Sequence, residues 1–194
     1  HSPEEFNPTV ERNIINHLTA SFPDDDSDDN SFTSEIDYTN HVITVVFPYN
    51  YPKLSDNVLQ LSDLKKMRVI ADLDNNVYVY PTLLFMDMTK DNFITVKDQT
   101  GASTEYKVVA EIRKSNECAI TKFNITSLGL SGIINESTKT ISLISLESIG
   151  EVLADVSISH GATISPDPRT VALNYDQDQK ITVTAQNGTT KSTY

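Results

Sequence analysis

Three segments of the chain recur in the same order, and an internal repeat of this kind constrains the fold more tightly than any composition. Residues 36–45 (IDYTNHVITV) parallel residues 134–143 (INESTKTISL). Val79, Tyr80 and Pro81 parallel Ile164, Ser165 and Pro166. Ile94, Thr95 and Val96, followed by Gln99 and Gly101, parallel Ile181, Thr182 and Val183, followed by Gln186 and Gly188. A weaker match, residues 18–22 with 120–124, precedes these. Each match is short, but their shared order points to two copies of one unit rather than to a single sandwich with strands that happen to look alike. The spacing differs in one place. Ile43 and Pro81 lie 38 residues apart, Ile141 and Pro166 only 25. The first copy therefore carries a loop insertion, which surface loops tolerate.

The matched segments read as β-strands. Ile181, Val183 and Ala185 alternate with Thr182, Thr184 and Gln186, a period of two. Tyr106, Val108, Ala110 and Ile112 alternate with mostly polar neighbours. β-branched residues crowd 41–47, 140–145 and 154–159. Turn residues separate these runs at 38–41, 135–139, His160-Gly161 and Asn187-Gly188, the last a good candidate for positive φ in a hairpin. Each copy thus shows six or seven strands at a spacing of about 8–12 residues, the pattern of a β-sandwich. A helical turn is predicted only within the insertion, at 55–67, where Leu59, Leu61 and Leu64 sit among polar residues. The expected fold class is all-β, with two tandem immunoglobulin-like β-sandwich domains of Greek-key type. The first, 1–113, has an N-terminal extension and the insertion. The second, 114–194, stops where its last strand is expected to continue, so either a parent protein runs past Tyr194 or that strand is disordered. The boundary at 113–117 is short and polar without Gly or Pro, which predicts domains that sit close and move little.

Composition excludes several functions. The formal net charge of −12 repels phosphate backbones, so nucleic acid is not an expected partner. Anionic lipid surfaces are disfavoured for the same reason. No apolar run approaches the roughly 18 residues of a membrane-spanning helix. The first residue is His1, so the chain reads as a processed product whose export signal has gone. Cys118 is the only cysteine, which rules out an intrachain disulfide, and the buried tryptophan of antibody domains is missing because the chain has none.

The second copy carries the combined pattern in full: Ile120-Thr121-Lys122-Phe123, Gly132-Ile133-Ile134-Asn135, Gly161-Ala162-Thr163-Ile164-Ser165-Pro166, and residues 181–188. This pattern resembles the tandem immunoglobulin-like domains of Bacteroides-type surface lipoproteins, a family of unknown function. The likeness covers residues 118–194 well and 16–112 loosely. It implies a secreted or cell-surface protein, anchored at the outer membrane through a lipidated cysteine upstream of His1, with roles near glycan uptake or in adhesion. The first copy departs from the pattern at Val79-Tyr80-Pro81 and in an acidic loop after its first strand. Fold likeness does not fix function.

Two constellations are candidates for chemistry. Asp24, Asp26 and Asp28 are spaced like calcium-loop ligands, and Glu35 falls at the twelfth position. Against calcium, Asp29 stands where such a loop needs glycine, and the flanks read as strands. A solvated acidic loop is the plainer reading. The second constellation is Tyr49, Tyr51, Tyr78 and Tyr80. Tyr78 and Tyr80 share one face of a strand whose other face carries Val77 and Val79. If the valines are core, the tyrosines offer apolar rings with polar tips to a sugar or a protein. Tyr49 and Tyr51 lie in a loop that could join them. The plainer alternative is that these rings pack beneath the insertion or against the second domain.

No catalytic residue is predicted. His1, His17, His41 and His160 are scattered without metal-ligand spacing. Neither a nucleophile elbow nor a phosphate-cradling glycine loop occurs. Apart from calcium at the acidic loop, no cofactor is expected. The expected function is a non-enzymatic binding or adhesion module for a glycan or surface protein, with a structural spacer as the alternative.

Overall fold

The structure, a computed structural model, describes residues 15–194. Its regular secondary structure is almost entirely β-strand. The chain divides into two compact units, 1–113 and 114–194.

In unit 1 the strands are β1 (Ile15–Ser21), β2 (Ser34–Asp37), β3 (Val42–Phe47), β4 (Met67–Leu73), β5 (Tyr78–Tyr80), β6 (Phe85–Met86), β7 (Asn92–Lys97) and β8 (Ser103–Ile112). They form two sheets, a three-stranded one ordered β1-β4-β6 and a five-stranded one ordered β2-β3-β8-β7-β5. The two sheets pack as a sandwich, and the residue pattern says which faces meet. Ile43, Val45 and Phe47 on β3, Ile94 and Val96 on β7, and Tyr106 and Val108 on β8 are all buried. They are alternate residues, so each strand turns one face to the core. β1 departs from strict alternation, because Ile15 and Leu18 are both buried. A register irregularity between Ile15 and His17 against β4 takes up the odd residue and returns both side chains to the core. All pairs are antiparallel except β3 with β8, which run parallel from Val42↔Lys107 to Phe47↔Ile112.

The insertion places residues in this core too. Its helical element is one 3-10 turn, Leu61–Leu64, and it buries Leu64. Leu59 is also buried while Leu61 is half exposed. An aromatic group closes this end of the unit. Phe32 lies edge-on to Phe22 at 5.7 Å and to Tyr51 at 5.4 Å, and Phe47 lies 5.0 Å from Phe32. Such pairs add about 0.5–1.5 kcal/mol each beyond the area they bury.

Unit 2 contains β9 (Ile120–Ile125), β10 (Leu130–Ser131), β11 (Ile133–Asn135), β12 (Thr140–Ser142), β13 (Glu151–Val152), β14 (Asp155–Ile158), β15 (Thr163–Ser165), β16 (Leu173–Asn174), β17 (Thr182–Thr184) and β18 (Lys191–Thr193). Its sheets are β10-β9-β14, β15-β17-β18, and the two-stranded β11-β12 and β13-β16. The core centres on Ile120, Phe123, Ile125, Val156, Ile181 and Val183. Ile181, Val183 and Ala185 are buried on one face of a single strand region, as their spacing predicts. Gly132 is required at the crossing of β9: a Cβ there would stand 2.6 Å from the Phe123 carbonyl oxygen, to which the Gly132 N–H donates at 2.7 Å.

The segments that match in sequence also match in pairing. Ile36↔Ile43 and Asp37↔Val42 in the first hairpin correspond to Ile134↔Ile141 and Asn135↔Thr140 in the other. Val79↔Val96 corresponds to Ile164↔Val183. The hairpins even share a left-handed residue at the same place, His41 at φ 56° and Lys139 at φ 54°. The last residues of the chain are ordered as a strand: β18 pairs with β17, and Tyr194 exchanges two backbone hydrogen bonds with Ile181.

Phe32→Ala should cost about 3–5 kcal/mol, because it removes a buried ring with three aromatic neighbours and leaves a cavity. Urea denaturation measures this as a lower midpoint with an unchanged slope. A loss below 1 kcal/mol would show that the aromatic group is not a packing centre.

Candidate functional site

The tyrosine face is built by an edge strand. Among the described strands β5 pairs only with β7, at the edge of the five-stranded sheet. Val77 is buried and Val79 packs on the core. The intervening positions must then point outward, and Tyr78 and Tyr80 are 57% and 55% exposed. The strand is entered through a turn in which Val77 N–H donates to the Asp74 carbonyl and Asn76 takes a positive φ.

The register of β5 on β7 decides what stands beside the rings. Tyr78 lies opposite Lys97 and Tyr80 opposite Thr95. After Lys97 the chain reverses through a loop that Asp98 organises. One carboxylate oxygen of Asp98 accepts from the Thr100 N–H at 2.8 Å, the Thr100 hydroxyl at 2.6 Å and the Ala102 N–H at 3.2 Å. Gly101 completes the turn at φ 86°. The result is a shallow groove of about 470 Å³ lined by Asn76, Tyr78, Tyr80, Lys97, Asp98, Gln99 and Gly101. Its chemistry is two rings, two amides, one ammonium and one carboxylate. That set can stack on a flat apolar face and hydrogen-bond to hydroxyls around it.

Tyr49 and Tyr51 do not join this groove. Tyr51 is 7% exposed and belongs to the core. Its ring stacks on Phe22 at 5.2 Å, and its hydroxyl donates to Asp25 Oδ2 at 2.5 Å. Tyr49 is half-buried, and its carbonyl accepts from the Leu59 N–H at 2.8 Å. The segment between them is closed on itself by the Asn50↔Val58 bridge.

The acidic loop likewise does not gather Asp24, Asp26, Asp28 and Glu35 around one point. Glu35 lies on β2 and pairs with Arg113 at 2.6 Å. The Asn30 side chain spans the loop, accepting from the Phe22 N–H and donating to the Phe22 and Asp25 carbonyls at 2.7–2.8 Å. The carboxylate the fold uses is Asp25, not Asp24, Asp26 or Asp28. It accepts from the Ser27 N–H and caps Tyr51. Among the described residues no group of three or more His, Cys, Asp or Glu side chains converges as metal ligands. The spacing Asp24, Asp26, Asp28, Glu35 therefore does not become a shared site, because a strand carries Glu35 off to an arginine. Among those residues, too, no helix is long and apolar enough to cross a membrane.

The rim residues of the groove escaped the sequence reading. Gln99 and Gly101 were visible as part of the repeat, but only the β5–β7 register brings them beside Tyr78.

A family model described as a domain of unknown function (DUF5018) matches residues 1–110, more than half of the chain. The chain belongs to the DUF5018 family. Residues 120–194 match a second model, also described as a domain of unknown function (DUF8499). No curated protein matches the chain. Among solved structures, a Bacteroides fragilis protein described as a candidate secreted protein shares 18% identity, with a TM-score of 0.37, covering 52% of this chain and 94% of its own. The DUF5018 match contains the whole tyrosine groove, and neither family description assigns it a ligand.

The Asp25–Tyr51 contact makes a pH-dependent prediction. The Tyr51 hydroxyl, followed by the Ser27 amide and hydroxyl, holds the Asp25 carboxyl below its ordinary 3.8. A lowered carboxyl pKa contributes stability that is complete above 3.8 and is lost as pH falls through the lower folded value. Tyr51→Phe should lower the thermal midpoint at pH 7, and its gap to the parent should narrow as pH falls below 3.8. A gap that stays constant down to pH 2 would show that the carboxylate is not the partner that matters.

Proposed function

We propose that this DUF5018 protein is a non-catalytic recognition module that binds a glycan on the Tyr78–Tyr80 face. The observation carrying this reading is the pair of tyrosines, both more than half exposed on one face of an edge strand. Two rings side by side on one face make a contiguous exposed apolar patch, and such patches mark interaction sites. Asn76, Gln99, Asp98 and Lys97 surround them with donors and acceptors suited to sugar hydroxyls. The groove is open and shallow, which suits the side of an extended polysaccharide better than a small molecule that must be enclosed.

The immunoglobulin-like character of both units belongs to this proposal and is supported by the sequence pattern, by the two-sheet packing of unit 1 and by the matching registers of the repeated segments. Display outside the cell, through a lipidated cysteine upstream of His1, belongs to it as well and is supported by the resemblance to Bacteroides-type surface lipoproteins. A spacer role is the second reading, favoured by unit 2, where the positions of Tyr78 and Tyr80 are held by Thr163 and Ser165.

A polysaccharide-retardation and glycan-array screen tests the proposal. The parent should be retained by at least one glycan. Tyr78→Ala and Tyr80→Ala should each weaken that retention about tenfold or more, roughly 1.4 kcal/mol, with little change in unfolding midpoint because both rings are exposed. Retention unaltered in the double variant would move the site elsewhere. Absence of retention on every glycan would favour the spacer.

A further inference from the structure

The outer face of the five-stranded sheet carries a third exposed ring. β7 turns Ile94 and Val96 into the core, so Phe93, Thr95 and Lys97 stand on its other side. Phe93 is 55% exposed, as much as Tyr80. Register puts it in line with the two tyrosines. Tyr78 lies opposite Lys97 and Tyr80 opposite Thr95, so Phe93 stands one row further on, diagonal to Tyr80 and within reach of it for side chains of this size. β5 ends at Tyr80, and among the described residues no strand position faces Phe93 from that side. On the other side Phe93 lies opposite Lys107 of β8. Three rings thus occupy three successive rows of one sheet face. Rows two residues apart along a strand stand about 7 Å from each other, so the way from Tyr78 to Phe93 is about 14 Å.

Hydrogen-bonding groups accompany each ring. Lys97, Asn76 and Gln99 line the groove with Tyr78. Glu105 lies beyond Thr95 in the row of Tyr80. Lys107, ion-paired with Asp91 at 3.5 Å, stands beside Phe93. These rows hold no excess of positive charge: Lys97 and Lys107 are matched by Glu105 and Asp91, Asp98 is a further carboxylate, and the whole chain carries −12. An acidic polymer gains nothing from such a surface, whereas sugar hydroxyls bond to groups of either sign.

We propose that Tyr78, Tyr80 and Phe93 form one track for an uncharged, extended glycan of three or more linked sugars, laid along the strands. The proposal rests on the glycan reading of the Tyr78–Tyr80 face and adds to it a third contact, a direction and a ligand class. The direction follows from the rows. Each row holds one ring, so a chain laid across the strands meets one of them and a chain laid along the strands meets all three. The minimum length follows from the spacing. A row is wider than one pyranose ring, so a disaccharide cannot cover the way from Tyr78 to Phe93. Phe93 has no polar tip of its own. It offers a stacking face, and the Lys107–Asp91 pair beside it supplies the hydrogen bonds.

Isothermal titration of the whole chain tests this with cello-, xylo-, manno- and laminari-oligosaccharides, each from monosaccharide to hexasaccharide, and with oligogalacturonates as the acidic series. Affinity for a neutral series should climb until the ligand covers three rings and then level off. Phe93→Ala should weaken hexasaccharide binding about tenfold and leave disaccharide binding within about twofold, with the unfolding midpoint held because the ring is exposed. A merely structural role for Phe93 would weaken every length alike and would overturn the track. Hexasaccharide binding lost in Tyr78→Ala and Tyr80→Ala but kept in Phe93→Ala would overturn it too, leaving the two-ring reading in place. Tighter binding of the acidic series would overturn the ligand class and the proposal with it. Binding of no neutral series by the parent would overturn the track, and if the glycan array also shows no retention, the reading beneath it falls as well.

Discussion

The parallel ladder between β3 and β8 is the constraint on which unit 1 depends. It joins residues 42–47 to residues 107–112, the longest-range pairing in the unit. Parallel neighbours cannot be joined by a tight turn, so everything between them must be placed elsewhere. β4 therefore pairs with β1, and β6 with β4, in the facing sheet, while β7 and β5 extend the same sheet as the ladder on the far side of β8. The ladder also stacks the two rows of side chains that make the core: Ile43, Val45 and Phe47 on one strand, Tyr106 and Val108 on the other. Neither row could be dry without the other beside it.

The candidate site follows from this arrangement by two further registers. β8 fixes β7 through six pairs from Asn92↔Val108 to Lys97↔Ser103. β7 then fixes β5 through three. Each pairing preserves the in–out alternation, since a slip of one residue would turn every side chain over. Tyr78 and Tyr80 are thus held outward by Val77 and Val79, which the core holds inward. The loop formed by Asp98 and Gly101 is brought to the rings by the same register, because it joins β7 to β8 at the end where β5 begins.

Much of this was legible in the sequence, and the parts that were not share a physical cause. The alternation of Ile181, Val183 and Ala185 reports burial directly, because each side chain's direction is set by its own strand. The hairpin turns at His41 and Lys139 were legible for the same local reason. Tyr78 and Tyr80 could be read as outward-facing from two neighbouring valines. Tyr51 could not, because its burial depends on Phe22 and Phe32, which are distant in sequence and reach it only through tertiary packing. The acidic loop misled for a related reason. Spacing predicts ligands only if the carboxylates turn in toward one point, whereas here the Asn30 side chain spans the loop and β2 carries Glu35 away to Arg113. The two units differ at the outward positions of one strand: Tyr78 and Tyr80 on β5, Thr163 and Ser165 on β15.

That difference also explains why a binding face would sit on one unit and not the other. The outward positions of β5 and β15 contribute nothing to either core, so their side chains vary without cost to the fold. One scaffold carries Tyr78 and Tyr80 there, and the other Thr163 and Ser165. Inward positions have no such freedom, and Val79 and Ile164, opposite Val96 and Val183, remain branched and apolar. Sequence likeness between the units is therefore concentrated where it preserves packing. Their function has to be sought where they differ, at outward positions such as Tyr78 and Tyr80 on one unit and Thr163 and Ser165 on the other.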